Sequence, residues 1–593
     1  MKFVFWFFGY RRLAGLAAAL FAGAMFDLVG IVILYPYIEL AINPGKTIEK
    51  FQLLRYFDAS RDDSSYRLLL ITGAGLIAFY TFKFVIVYLL NRYQYRTVAD
   101  LTYRLSEAMY DRLLRCRFNA FQQFPASQLI GVVYNNPIHA TICITSIATI
   151  ANDTLFLGML LVVSVWLSPV ITIMVMAAML LIGVALHVTV VRRLQDYGRQ
   201  QARVEDMKHK LAFATITAIK DVKVMGIENH LRNENTDISK QYFSTTWKYN
   251  LLGSMPKVAI EYIILVGMTV GIMVFMGLQK DAALQLPIIG VGIAAVMRTL
   301  PSFNRLIAAI GTYKFYRPFI AKIIDFYEKT TAFEVNVIDC PMKFDHSLEV
   351  NNLGFSYGEK RILQDISILI PKGQSIGIVG MSGSGKSTLL DLISGLQEKD
   401  EGEFLLDGKA VNPFGTNAIR RMLGYVPQAI ALVDDSIAFN VAFSRDWDAT
   451  KLRNALKVAN LLEFVDQLPE QEKTCVGENG IRISGGQRQR IGIARALYKD
   501  PEILIFDEAT SAVDNITEQE LTAEINGLSG TKTLIMVAHR LTTIQHCNRI
   551  YVMHNGRNAG AGTYHELLKN NEIFQQMHKQ QAGEKHIEEQ RTQ

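Results

Sequence analysis

The chain has 593 residues, half of them hydrophobic and 20% charged, with a formal net charge of +6 and a pI near 8.8. That length exceeds a single domain, and no stripe of interleaved basic and aromatic residues supports reading the positive balance as a nucleic-acid footprint. Cys116, Cys143, Cys340, Cys475 and Cys547 are odd in number and show no paired spacing, which suggests neither a disulfide framework nor a zinc site.

Apolar residues crowd the first roughly 340 positions in stretches near the roughly 20 residues a membrane-crossing helix needs. Six spans are predicted, about Leu13 to Ile42, Tyr66 to Leu90, His139 to Trp166, Pro169 to Val191, Val258 to Met276 and Leu286 to Ile310. Arg11 and Arg12 precede the first span as they would a signal peptide, but its apolar run continues past Asp27 and is too long for one.

Between spans two and three lie Arg92, Arg96, Arg104, Arg112, Arg115 and Arg117; between four and five lie Arg192, Arg193, Arg199, Arg203, Lys208, Lys210, Lys220 and Lys223. Positive loops stay on the cytoplasmic side, so both termini are expected inside. The outer loop Asn43 to Ser65 places Ile48, Phe51, Leu54 and Phe57 at helical spacing. This fits a short amphipathic helix, lying on the membrane surface or packed on the ends of its own spans.

The remainder reads as a soluble α/β domain. After the apolar run Ser375 to Val379 comes Gly380-Met381-Ser382-Gly383-Ser384-Gly385-Lys386-Ser387-Thr388, and then a helical pattern. A strand that empties into G-x-x-x-x-G-K-S and a helix is a phosphate loop. Its glycines let backbone N–H groups turn inward, and the helix N-terminus adds partial positive charge. Lys386 can reach the β- and γ-phosphates and Ser387 can ligate Mg²⁺. The chain is expected to bind ATP or GTP.

Further stretches flank the loop: Tyr357, about thirty residues before Lys386, and then Tyr425-Val426-Pro427-Gln428, Ile483-Ser484-Gly485-Gly486-Gln487, Ile503 to Glu508, Ser511 to Asp514, and Val537-Ala538-His539. With these, the chain resembles a half-size ABC exporter: a membrane domain of six transmembrane helices followed by an α/β P-loop ABC ATPase domain. Boundaries are expected at 1–325 for the membrane domain, 326–346 for a linker, 347–583 for the nucleotide-binding domain and 584–593 for a polar tail.

The resemblance implies roles for particular residues. Tyr357 would stack on adenine, while Gly380, Ser382, Gly383, Ser384, Gly385, Lys386, Ser387 and Thr388 hold the phosphates. Ser387 and Gln428 would contact Mg²⁺, supported by Asp507; Glu508 would be the base or water-positioning group, and His539 would hold the γ-phosphate. Ser484, Gly486 and Gln487 would face the nucleotide of a second copy, so a homodimer builds two composite sites, with Asp514 crossing between them. Ile483 and Val513 stand where the family usually has Leu, which preserves packing. Coupling helices are expected near Asn119 to Ala126 and Ala218 to Gly226, with Val476 to Gly480 as a second contact.

Ionisable residues within spans are costly and mark function or a buried pair. They are Asp27, Glu39, Lys83 and Asp153, then Lys257 and Glu261 at the start of the fifth span, and Arg298, Arg305 and Lys314 in or just after the sixth. Lys257 and Glu261 stand four apart, as a helical pair would; Lys83, Lys257, Arg298 and Arg305 are candidates to line an anion-holding cavity. Met255-Pro256-Lys257 and Arg298-Thr299-Leu300-Pro301-Ser302-Phe303-Asn304-Arg305 resemble the flippases of lipid-linked oligosaccharides in bacterial protein N-glycosylation. Lys stands at 83 and 257 where those proteins have Arg, which keeps charge but weakens forked recognition of a diphosphate. The implied cargo is an anionic polyprenyl-diphosphate glycan moved across the bacterial inner membrane. Export of another lipid, peptide or drug is the alternative. An ATP-gated channel is disfavoured by the complete ATPase motifs.

Overall fold

The computed structural model describes residues 10–42, 64–167, 181, 184–185, 187–278, 286–331, 338–509, 515–538 and 540–581. They divide into two compact units, one of residues 1–116 and 120–334, the other of 117–119 and 335–593.

The described part of the first unit is helical. It comprises α1 (Tyr10–Ile42), α2 (Ser64–Arg115), α3 (Phe118–Gln123, whose first two residues fall in the second unit), α4 (Asn136–Leu167), α5 (Arg192–Thr217), α6 (Ile219–Met225), α7 (Glu228–Leu278) and α8 (Leu286–Thr331). A short helix, Ala126–Ile130, and a π-helical turn, Gly131–Asn135, lead into α4; a second π turn, His187–Val191, leads into α5. Five of the six predicted spans fall within α1, α2, α4, α7 and α8. The fourth span lies largely, and the outer loop 43–65 almost wholly, outside the described residues.

Among the described residues, Arg67–Arg115, Ala126–Val162 and Glu228–Gly267 are long and apolar enough to cross a membrane. The helices outrun their apolar stretches. At 1.5 Å per residue, the 52 residues of α2 make a rod of about 78 Å against about 30 Å of hydrocarbon. The excess is the basic segment expected on the cytoplasmic side from its charge. There Leu101, Leu105 and Met109 pack with Val132, Ile144, Ile323 and Phe326 in an apolar core, so these extensions fold by burying side chains from α2, α4 and α8 together.

The described part of the second unit is built on two sheets. Its strands are β1 (Ser347–Tyr357), β2 (Lys360–Pro371), β3 (Ser375–Gly380), β4 (Glu401–Leu406), β5 (Lys409–Val411), β6 (Leu423–Val426), β7 (Ile503–Asp507), β8 (Thr533–Val537), β9 (Arg549–His554) and β10 (Arg557–Gly562). Three helices matter for the site: α9 (Lys386–Ile393), α10 (Gly485–Leu497) and α11 (Asn515–Gly527). The smaller sheet runs β2-β1-β4-β5 and is antiparallel; the larger runs β10-β9-β3-β8-β7-β6 and is parallel except at β10.

The apolar runs of β3, β7 and β8 are buried on both faces, as parallel strands covered by helices require. Alternate residues sort to two cores: Val379, Leu504, Phe506, Leu534 and Met536 to one, Ile376, Ile378, Ile503, Ile505, Ile535 and Val537 to the other. Because β3, β8, β7 and β6 are parallel neighbours, their C-terminal ends share one edge. Gly380, Asp507 and Val426 are brought together there.

Candidate functional site

The loop between β3 and α9 is built around its lysine. Gly383 and Gly385 take φ of 80° and 97°, left-handed values that cost a side-chain-bearing residue energy. Lys386 is 6% exposed, and its Nζ donates to the Gly380 carbonyl at 2.8 Å and the Met381 carbonyl at 3.3 Å. Burial pulls its pKa down, while Glu508 and Asp507 act to raise it. The Ser384 hydroxyl is buried with no hydrogen-bond partner, the kind of orphaned group that a bound anion satisfies. Ser387, at the start of α9, is exposed. Tyr357, at the end of β1, packs edge-on against Phe355 and is 39% exposed, which leaves ring surface available for stacking.

Opposite the loop stand the two acids that end β7. The Tyr425 hydroxyl donates to Asp507 Oδ2 at 2.9 Å. Burial pushes the Asp507 carboxyl up, Tyr425 and Lys386 oppose that, and Glu508 adds to it. Glu508 leaves the strand at φ 49°, its N–H donating to the Val537 carbonyl at 2.9 Å. Gln428 Nε2 donates to Glu508 Oε2 at 2.6 Å, so the glutamine read from sequence as a metal contact touches the glutamate here. Asp391, on α9, is pushed up to about 6 by burial and then by Asp507. Sequence reasoning missed both Asp391 and Tyr425; for Tyr425 the only signal was an aromatic three residues before Gln428.

Ser484 and Gln487 form a reciprocal cap on α10: Gln487 N–H donates to Ser484 Oγ at 3.2 Å, and Ser484 N–H donates to Gln487 Oε1 at 2.9 Å. The Gln487 side chain, expected at nucleotide, is used by its own helix; Ser484 is exposed and Gly486 half-buried. Among the described residues no hydrogen bond joins this turn to the loop 380–388. Gln489, buried on α10 and also missed, donates to the Ala509 carbonyl just beyond Glu508. His539 and Asp514 lie outside the described residues.

In the first unit two of the four candidate cavity cations, Arg305 and Lys83, have carboxylate partners. Arg305 makes a forked contact with Asp153, 2.9 Å from Nη2 to Oδ1 and 3.2 Å from Nε to Oδ2, and Nη2 also donates to Ser302 Oγ. Asp153 is fully buried while the Arg305 side chain is 53% exposed. Lys83 pairs with Asp27 at 2.7 Å. Among the described residues no ion pair joins Lys257 to Glu261, contrary to the i, i+4 reading; Lys257 is exposed. The side chains of Arg298 and Glu39 are outside the description. A cavity of about 300 Å³ between the start of α5, α7 and α8 is lined, among the described residues, by Val191, Leu194, Asn250, Ser254, Ile307 and Thr312 with others, and not by Lys83, Lys257 or Arg305.

Long apolar helices followed by a complete phosphate-loop fold define a membrane protein that carries its own ATPase. Comparison with known proteins gives the family. Residues 15–298 match the family described as ABC transporter transmembrane region and 363–511 the family described as ABC transporter. The ATP-dependent lipid A-core flippase of Pseudomonas aeruginosa is 30% identical over 484 residues, 81% of this chain and 79% of that protein. The protein of the same description from Francisella tularensis is 28% identical over 584 residues, 96% of this chain and 92% of that one. A solved bacterial Atm1-family ABC exporter with ATP bound shares the fold, with a TM-score of 0.75 at 24% identity over 96% of this chain and 98% of that chain. The chain belongs to the ABC transporter family, as a half-size exporter whose ATPase drives transport across a membrane.

Proposed function

We propose that this exporter uses ATP to move a lipid-anchored, anionic glycan from the cytoplasmic to the outer leaflet of the bacterial inner membrane, working as a homodimer. The observation that carries this reading is likeness over 81–96% of the chain to proteins described as lipid A-core flippases. ATPase domain and termini would lie in the cytoplasm, in keeping with the basic loops after spans two and four.

Lys386 and the loop amides would hold the phosphates, with Ser384 gaining the partner it lacks. The exposed Ser387 hydroxyl, Asp507 and Gln428 have the hard-oxygen chemistry that suits Mg²⁺, which when bound would neutralise phosphate charge. Glu508, aided by His539, would orient or deprotonate the attacking water. Ser484 and Gly486 would complete the site of the second copy, which accords with the absence of hydrogen bonds from their turn to their own loop.

The finer cargo, a polyprenyl-diphosphate oligosaccharide, rests on the stretches around Lys257 and Arg298. Lys257 supports it best, since Lys83 and Arg305 already neutralise carboxylates. Those two ion pairs also favour a second reading, export of a less charged lipid, peptide or drug, because they reduce the free positive charge. Proteoliposomes carrying a labelled polyprenyl-diphosphate oligosaccharide, or a labelled lipid A-core, separate the cases, with Glu508→Gln protein as the blank. ATP-dependent movement of one alone names the cargo. Movement of neither, with ATPase activity intact, removes the lipid-glycan reading.

A further inference from the structure

We propose that Tyr425 is a positioning residue for the metal end of the ATP site: its phenol holds the Asp507 carboxylate by one oxygen and presents the other to a nucleotide-bound divalent cation. This rests on the assignment of Asp507 to metal support made above.

Tyr425 pairs in register with Ile505 across the parallel strands β6 and β7. Side chains alternate along a strand, so Asp507, two residues past Ile505, projects from the same face as Tyr425 and lies diagonal to it. A phenol is long enough to span that diagonal, and the 2.9 Å bond to Oδ2 shows that it does. The ring packs partly buried against the core that contains Ile503, Ile505 and Val537, so the hydroxyl is delivered from a fixed base. Among the described residues no hydrogen bond reaches Asp507 Oδ1. A carboxylate with one lone-pair set occupied and the other open, at the edge where the phosphate loop begins, is oriented for a cation or its water.

The electrostatics are in keeping with such a hold. Glu508 follows Asp507 directly and opposes its ionisation, while the Tyr425 hydrogen bond and Lys386 favour it. Three residues after Tyr425, Gln428 grips Glu508 at 2.6 Å. The segment 425–428 therefore secures two successive acids, one by a phenol and one by an amide.

The test uses full-length protein in lipid nanodiscs. Affinity for a fluorescent ATP analogue is measured with EDTA and with Mg²⁺, and Mn²⁺ bound in the presence of ATP is counted by electron paramagnetic resonance. Tyr425→Phe keeps the ring and removes the donor. It is expected to cut the metal-dependent gain in nucleotide affinity on the order of tenfold, to weaken Mn²⁺ binding in parallel, and to leave metal-free ATP affinity unchanged, which also reports an intact fold. An unchanged metal-dependent gain overturns the proposal, and so does an equal loss with and without metal. Asp507→Asn is run alongside: if it too leaves the gain intact, the failure belongs to the assignment of Asp507.

Discussion

At the scale of single residues, Glu508 shows how a fold can hold a reactive side chain against local preference. Its φ of 49° is uncommon for a residue with a side chain and costs on the order of 1 kcal/mol or more. The Val537 carbonyl on its N–H and Gln428 on its carboxylate hold it there. Glu508→Gln keeps shape and removes charge; ATP hydrolysis is expected to fall by ~10²–10⁴ while nucleotide binding persists, as phosphate release and equilibrium binding will show. Asp391 supplies a stability signature. Its carboxyl, raised to about 6 from an ordinary 3.8, binds a proton more tightly folded than unfolded, so its effect favours folding at low pH and fades as pH rises from about 4 to about 6. Asp391→Asn should flatten that decline, read as the thermal midpoint of the ATPase unit between pH 4.5 and 6.5, a span on the order of the shift itself.

At the scale of elements, the helices of the first unit are tied together by polar contacts as well as apolar ones. Arg305 on α8 holds Asp153 on α4, and removing one partner of such a pair leaves a buried charge, costing roughly 3–5 kcal/mol at full burial and less here because Arg305 is half exposed. Arg305→Gln should therefore lower the melting temperature, and Arg305→Gln with Asp153→Asn should recover most of the loss. If the double variant is stable and still transports, Arg305 serves packing; if stable and inactive, it reads cargo. Close approach matters as well. A Cβ at Gly198 on α5 would stand 2.1 Å from the Phe315 carbonyl of α8. Gly198→Val is expected to force the two helices apart, with reduced folded yield by size-exclusion chromatography.

At the scale of the whole molecule, the question is whether each ATP site draws on two chains. Lys386→Ala disables a phosphate loop, and Gly486→Asp disables the signature turn. If sites form between copies, mixing the two variants creates dimers with one site wholly intact, and ATPase activity returns to about a quarter of wild type for random pairing with independent sites. If sites form within one chain, mixing restores nothing. Co-expressed protein purified through both tags is all heterodimer and is expected at about half of wild type, against none for sites within one chain.

What the sequence by itself determined is the local chemistry. The phosphate loop, the S-G-G-Q turn and the acid pair after Ile503 are contiguous, because phosphate binding, helix capping and strand termination each need fixed residue types at short spacing. Five of the six spans were legible for a similar reason, since a bilayer imposes a length of apolar chain, and the short helices α3 and α6 stand at the positions expected for coupling helices. What only the tertiary structure decided is which distant charges meet. Arg305 and Asp153 are 152 positions apart, and Tyr425 and Asp507 are 82 apart. No local period relates such residues; helix packing brings the first pair together and parallel strand register the second. Lys257 and Glu261 show the converse, because i, i+4 spacing permits an ion pair but side-chain surroundings determine whether it forms. Tertiary structure decides these contacts because charge pairing depends on distance through space, which the order of residues along the chain does not contain.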